Sequence, residues 1–308
     1  MPTSKIIFRR ETNIKDLTTE PKITKPSRVI VEITDKCNFR CLHCFANKND
    51  YELKVESWIK IFNNITKSGI QGITITGGEP LLYKELFTLL KQIKLRKTFL
   101  TLDTNGSLIN EHNIKLIKKY FKKVRMSYYG LNRSWHANTK SKASNTETFL
   151  KTIKLLTDAK IFTQIKIPLF KNNVKNLYKI FDQLKDFNIN EIVLIPILPI
   201  GRAKNLVGLI GSLQAKRLLK NYDKGNRNIK VFKWLKGKHF LIRSNGNVCL
   251  HPPIKNISET LGNAMDRTIE EIWTDVPEKY KQINKKLTSD LNNMWFLKRE
   301  AKFGFFFV

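Results

Sequence analysis

Short apolar runs and stretches of helical spacing follow one another along the chain. Residues 29–33 read as a strand, and Val55, Trp58, Ile59, Phe62 and Ile65 share one face of a helix over 55–67 that Gly69 stops. A strand over 72–76, a helix over 83–95 and a strand over 98–102 come next. A helix capped by Asn110 and reaching Tyr120 precedes a fourth strand over 124–127. Segments 146–159, 163–169, 174–187 and 192–198 then read as helix, strand, helix and strand. This alternation predicts an α/β fold with a parallel sheet and right-handed crossovers. Six strand–helix units are too few for the closed eight-unit ring, so the expected form is a partial (β/α)6 TIM-like barrel. After Gly201 the rhythm breaks: a helix over 213–222, a hairpin over 240–250 turning at Ser244-Asn245-Gly246-Asn247, and a helix over 268–273 form a small irregular α+β extension. The expected organisation is an N-terminal segment over 1–26, a core over 27–205 and the extension over 206–308.

The polar motifs fall at the C-terminal ends of the predicted strands, the face on which parallel barrels gather their chemistry. Cys37, Cys41 and Cys44 follow the first strand, Gly77-Gly78-Glu79-Pro80 the second, and Asp103-Thr104-Asn105-Gly106 the third. Ser127-Tyr128-Tyr129-Gly130 follows the fourth and Gly201-Arg202-Ala203 the sixth.

Of the four cysteines, three fall in a C-x3-C-x2-C loop and Cys249 stands apart. Such a cluster reads as metal ligation or redox chemistry rather than a disulfide framework. Three thiolates make an incomplete structural zinc site, and His43, lying between Cys41 and Cys44, is awkwardly placed to supply the fourth ligand. An iron–sulfur cube with one iron left open suits three cysteines better.

With Gly77-Gly78-Glu79-Pro80, Thr104-Asn105-Gly106 and Ser127-Tyr128-Tyr129-Gly130 added, residues 27–203 resemble the radical SAM superfamily. The resemblance implies one [4Fe-4S] cluster per chain on Cys37, Cys41 and Cys44, with S-adenosylmethionine chelating the open iron and being cleaved to a 5′-deoxyadenosyl radical. It further implies that Phe39 and His43 shield the cluster, that the Gly77 and Gly78 carbonyls with Glu79 receive the methionine ammonium, and that Pro80, part of the same cofactor motif, fixes the following turn. Asn105 and Ser127 would meet the ribose or carboxylate, Lys166 the carboxylate, and Ile197 within 195–198 would wall the adenine, while Arg202 reaches substrate or cofactor. Glu32 is a carboxylate within the first strand. Asn105, Ser127 and the Gly-Gly pair also read as ordinary turn residues, the 195–198 run as ordinary core, and Lys166 as an outward strand lysine.

The stretch 246–273, with Leu261-Gly262-Asn263 and Ile269-Glu270-Glu271-Ile272-Trp273, is similar to the bridge of the auxiliary-cluster SPASM or twitch domain of peptide-maturing members. That similarity implies a peptide or protein substrate and a reducing donor such as a flavodoxin or ferredoxin. Two departures count against a complete auxiliary site. The position five residues after Gly246 is His251, with Cys249 two residues earlier, and no cysteine follows. One thiolate and one imidazole are a poor complement for a second cube, so a degenerate or truncated auxiliary domain is expected, ending in a Phe-rich tail over 303–308. In the loop carrying Trp135 and His136, Ala137 stands where relatives often carry an acid.

Charge widens the field only slightly. The chain has 56 Lys and Arg against 26 Asp and Glu, a formal net charge of +30. That balance invites a nucleic acid reading. The basic residues, however, are spread over the chain rather than gathered in a stripe, and Lys, Asn and Ile share A/T-rich codons. A radical SAM enzyme acting on RNA or a nucleotide, similar to the molybdenum-cofactor cyclase but without its Gly-Gly tail, is therefore the alternative. A non-catalytic or zinc-bound relative is the other. No apolar run reaches the ~20 residues of a membrane span and no secretory signal is visible, which points to a cytoplasmic protein without membrane partners.

Overall fold

The computed structural model describes residues 26–44, 51–131, 139–140, 146–197, 201–206, 210, 215, 229–232, 239–251 and 260–276. Its strands are β1 (Arg28–Glu32), β2 (Gly72–Thr76), β3 (Phe99–Thr104), β4 (Lys123–Ser127), β5 (Phe162–Pro168), β6 (Glu191–Ile195), β7 (Ile229–Val231), β8 (His239–Ile242), β9 (Asn247–His251) and β10 (Gly262–Asn263). The helices are α1 (Val55–Lys67), α2 (Leu86–Gln92), α3 (Ile114–Tyr120), α4 (Thr146–Asp158), α5 (Lys171–Val174), α6 (Leu177–Leu184) and α7 (Ile269–Thr274).

The strands form one sheet in the order β10-β9-β8-β1-β2-β3-β4-β5-β6-β7. Every neighbouring pair from β8 across to β7 is parallel, and β9 and β10 are antiparallel additions at one edge. The α/β class and the unclosed sheet are as expected. The parallel strand count is higher, because β7 joins β6 and the first strand of the C-terminal hairpin, β8, pairs in parallel with β1. Strands as short as β7 carry too little periodicity to be read from sequence.

Strand alternation gives the sheet two unlike faces. Val29, Val31, Ile73, Ile75, Leu100, Leu102, Val124, Met126, Ile165 and Ile167 are buried on the helix side. There they meet Trp58, Ile61, Phe62 and Ile65 of α1 and Phe149, Ile153 and Leu156 of α4. Each such side chain contributes ~1.5–3 kcal/mol by leaving water. The intervening positions, among them Thr74, Asp103, Arg125, Ser127, Gln164, Lys166 and Glu191, carry polar side chains on the inner face.

Helix lengths differ from expectation where polar side chains capture backbone groups. The helix expected over 174–187 is two, α5 and α6. Buried Asn173 accepts from the Phe170 N–H at 2.9 Å and donates to the Pro168 carbonyl at 2.8 Å, fixing a turn ahead of Leu177. Asn110 accepts from the His112 N–H at 3.0 Å, so it closes a turn before α3 rather than capping the helix. A 3-10 turn over Pro80–Leu82 delays α2 to Leu86. The helix over 268–273 is α7, whose Thr268 hydroxyl and Glu271 carboxylate form a reciprocal cap. The helix over 213–222, the loop of Trp135 and His136, and the tail over 303–308 lie wholly or mostly outside the described residues.

Candidate active site

The cysteine loop leaves the C-terminal end of β1 and is seated directly on the end of β2. The Gly78 N–H donates to the Thr34 carbonyl at 2.7 Å and the Glu79 N–H to the Lys36 carbonyl at 2.8 Å. Backbone lies against backbone here. A Cβ on Gly78 would stand 2.1 Å from the Lys36 oxygen and 2.6 Å from that of Asp35, and one on Gly77, at φ +150°, 2.4 Å from the Thr34 oxygen. The bare backbone of the two glycines therefore lets the cysteine loop seat directly on the strand end.

Glu79 is fully buried, and its carboxylate accepts from the Thr104 hydroxyl at 2.7 Å, the Asn105 N–H at 2.8 Å and the Leu81 N–H at 3.2 Å. It ties the end of β2 to the end of β3. Burial pushes its carboxyl up to about 7 against the pull of these neutral donors. Pro80 opens the following 3-10 turn and is buried.

Asn105 is committed to the cysteine loop. Its side-chain N–H donates to the Asn38 side-chain oxygen at 2.8 Å, the Asn38 N–H donates to the Ser107 hydroxyl at 2.8 Å, and the Ser107 hydroxyl donates back to Asn105 at 2.6 Å. This closed ring of three side chains braces the loop next to Cys37. Asn38 and Ser107 were missed in the sequence. The signal available was weak: an Asn directly after the first cysteine and a Ser two residues after Asn105.

Cys41 is buried, while Cys37 and Cys44 are partly exposed. The Phe39 N–H donates to the Cys37 sulfur at 3.3 Å, and the Cys41 sulfur lies 3.4 Å from the Tyr129 hydroxyl. Phe39 is buried beneath the loop. His43 sits between the rings of Tyr129 and Phe170, with centroids 5.7 and 5.5 Å away. Its Nδ1 is buried without a hydrogen-bond partner. Burial, then the charges of Lys166 and Arg202, hold this imidazole down at about 4, so it is neutral at pH 7. Arg202 is exposed, and its backbone N–H donates to the Cys44 carbonyl at 3.0 Å. Ile197 is packed in the hydrophobic core.

Further along the inner face, Lys166 does turn inward. Its ammonium donates to Asp103 at 2.9 Å, and Arg125 forks onto the same carboxylate and reaches the Thr74 hydroxyl at 3.3 Å. Burial raises the Asp103 carboxyl, but Arg125 and Lys166 outweigh it and hold it below the usual range. Ser127 stands in register with Lys166 at the end of β4. At the β1–β8 junction, Arg243 donates to Glu32 at 3.2 Å, the Ser244 hydroxyl donates to Asp35 at 2.7 Å, and Cys249 is buried on β9. Burial lifts Glu32 to about 7 despite Arg243. His251, at the end of β9, pairs with His239 across the hairpin.

Among the described residues no group of three Cys, His, Asp or Glu side chains is gathered around a single metal-ion position. His43 Nδ1 is a buried polar atom without a partner beside the loop, and Glu79 is a buried carboxylate whose three donors are all neutral.

The site thus sets a three-cysteine loop at the C-terminal end of a parallel, open sheet. Residues 31–192 match the family model "Radical SAM superfamily", and the chain belongs to that superfamily. Members of that superfamily use a [4Fe-4S] cluster and S-adenosylmethionine. It is 23% identical over 203 residues to the antilisterial bacteriocin subtilosin biosynthesis protein AlbA of Bacillus subtilis (strain 168), covering 64% of this chain and 45% of AlbA. It is 25% identical over 196 residues to the GTP 3',8-cyclase of Staphylococcus epidermidis (strain ATCC 35984), covering 59% of this chain and 57% of the cyclase. Among solved structures it resembles Streptococcus suis SuiB bound to its precursor peptide SuiA, with a TM-score of 0.71 at 18% identity over 82% of this chain and 65% of SuiB. The chain thus spans about half the length of the curated relatives it matches. No helix among the described residues is long and apolar enough to cross a membrane.

Proposed function

We propose that Cys37, Cys41 and Cys44 hold the cluster and that the enzyme modifies a side chain of a peptide or protein. The carrying observation is the seating of the cysteine loop. The backbones of Thr34 and Lys36 lie on Gly78 and Glu79, and Asn38 is locked by Asn105 and Ser107, so three thiols are presented from a rigid support. When bound, the cluster and S-adenosylmethionine supply reductive carbon–sulfur cleavage and a carbon radical that abstracts hydrogen.

This chain's own residues supply the setting. Glu79, ionised in the presence of an ammonium, is the buried acceptor nearest the loop support, and neutral His43 offers an uncharged nitrogen and a ring face beside the cysteines. Asp103, Arg125, Lys166 and Ser127 line the inner face beyond. There Lys166, its ammonium shared with Asp103, can turn toward an incoming carboxylate, and exposed Arg202 sits at the rim. Phe39 excludes water from below the loop. An external low-potential reductant, a flavodoxin or ferredoxin, supplies the electron.

The peptide reading is supported by AlbA, a bacteriocin biosynthesis protein, and by SuiB, a protein solved with a precursor peptide. Residues 27–205 act as the catalytic core and 206–308 as an extension that carries the closing hairpin. The test begins with anaerobic reconstitution. About four irons per chain and release of 5′-deoxyadenosine are expected, and each of Cys37→Ala, Cys41→Ala and Cys44→Ala should abolish both, whereas Cys249→Ala keeps the cluster. Mass spectrometry then compares candidate precursor peptides with GTP as substrates. Turnover of GTP with untouched peptides would reverse the substrate assignment, and about eight irons per chain would restore a second cluster site.

A further inference from the structure

We infer that Tyr129 is a positioning residue that hydrogen-bonds the Cys41 sulfur and thereby raises the reduction potential of the cluster, an inference that rests on the ligand assignment proposed above. The hydroxyl and the sulfur are 3.4 Å apart, and both residues are buried. An iron-bound thiolate carries no proton, so in the loaded enzyme the phenol O–H is the donor and the sulfur the acceptor. The sequence separation of 88 residues makes this a contact of the tertiary fold rather than of the loop itself.

Two features fix the phenol in place. The Tyr128 N–H donates to the Lys166 carbonyl at 2.8 Å, carrying the β4–β5 ladder one residue past β4 and setting the backbone that leads into Tyr129. The adjacent tyrosines then face opposite ways. Tyr128 stacks on Phe149 of α4 at 4.5 Å and donates to Gln183 at 2.6 Å, while Tyr129 turns to the cysteine loop with His43 against its ring. Cys37, by comparison, receives its donor from a backbone N–H, that of Phe39. Of these two sulfur contacts, only the one at Cys41 depends on a side chain and can be removed by substitution.

A donor at a ligating sulfur draws electron density from the cluster and stabilises its reduced state, one of the recognised settings of iron–sulfur potential. The couple exchanges one electron with an external low-potential reductant, which is oxidised by one electron, and Tyr129 keeps its proton throughout. Losing the donor should make the cluster harder to reduce by roughly three- to tenfold in that equilibrium, tenfold being 59 mV for one electron.

The experiment is an EPR-monitored redox titration of the reconstituted full chain, poised with dithionite and mediators. It compares wild type with Tyr129→Phe and with 3-fluorotyrosine incorporated at position 129 alone. The Phe variant keeps the ring against His43 and removes only the hydroxyl, so it should retain about four irons and shift to a more negative midpoint. Fluorotyrosine, a stronger donor, should shift it the other way. Unmoved potentials in both variants with full iron content overturn the Tyr129 role alone, and so does loss of the cluster in the Phe variant, which would make the residue part of the scaffold. A wild-type chain that assembles no four-iron cluster overturns the ligand assignment and this role with it.

Discussion

At the C-terminal end of the parallel strands the cysteine loop is held mainly by backbone fit against Gly77 and Gly78 and by the amide–hydroxyl ring of Asn38, Asn105 and Ser107, with the Glu52 carboxylate accepting from Thr34 and Lys36 at its edge. At the other end of the same inner face, Glu191 accepts from Lys123 at 2.7 Å, Gln164 at 2.6 Å and Lys230 at 2.8 Å, tying β4, β5, β6 and β7 together by charge. The first arrangement depends chiefly on shape, with buried Glu79 as its pH-sensitive member. The second tolerates small changes of shape and depends on ionisation. The cysteine-loop support therefore answers first to changes of shape, whereas the opposite end answers first to changes of charge.

The largest effect should come from Gly78→Ala. Its Cβ has no room against the Lys36 and Asp35 carbonyls, and backbone cannot swing aside as a side-chain end can. Overpacking of this kind costs ~1–3 kcal/mol, and the displaced segment leads directly into Cys37. Iron content after reconstitution should fall well below four per chain together with a lowered melting temperature. A variant with full iron and weakened S-adenosylmethionine binding would return these glycines to a direct cofactor role.

Asn38→Ala should come next. It strands the Asn105 amide and the Ser107 hydroxyl, a loss of ~1–2 kcal/mol, and should slow cluster assembly; urea unfolding and the rate of iron uptake measure it. Asn38→Asp adds a charge to the uncharged brace and should be the worse of the two for iron uptake.

The two ends should also answer pH in opposite directions. Burial opposes ionisation of Glu191, but Lys123 and Lys230 hold its carboxyl down at about 2, below the ordinary 4.5. Its contribution is therefore present above pH 4.5 and is lost as pH falls through about 2. Glu79 is raised to about 7, so its folded form favours the proton; its contribution is present below pH 4.5 and is lost as pH rises through about 7. Denaturant midpoints across pH 3 to 8 should lose their acid-side slope in Glu191→Gln and their slope between pH 4.5 and 7 in Glu79→Gln. Glu32, also raised to about 7, adds to the second slope, so Glu79→Gln should reduce it and not flatten it.

The smallest effect belongs to Lys230→Met. Its ammonium is more than half exposed and Glu191 keeps Lys123 and Gln164, so stability should change by less than about 1 kcal/mol. A larger loss on thermal unfolding would mean that β7 depends on this ion pair for its place in the sheet.

By itself the sequence determined the elements whose periodicity runs long enough to be unambiguous. Residues 55–67 and 72–76 are α1 and β2 to the residue, and the strand-end position of the cysteines, the Gly-Gly turn and the Asn-Gly turn follows from apolar runs ending at polar motifs. The parallel character of the sheet was legible for the same reason, since helices separate its successive strands. The alternating polar residues of the observed strands, Thr101 and Asp103, Lys123 and Arg125, Gln164 and Lys166, depart from the continuous apolar run of a doubly covered parallel strand, and it is the sheet that gathers them on the inner face. Only the tertiary structure decided what those residues touch. That Asn105 grips Asn38, that Glu79 spans β2 and β3, that Lys166 meets Asp103, that β8 pairs with β1 and that Tyr129 reaches Cys41 are contacts between groups 25 to 211 residues apart. Spacing along the chain carries no information about such partners, because strand order and register, fixed by burial of the opposite face, bring them together.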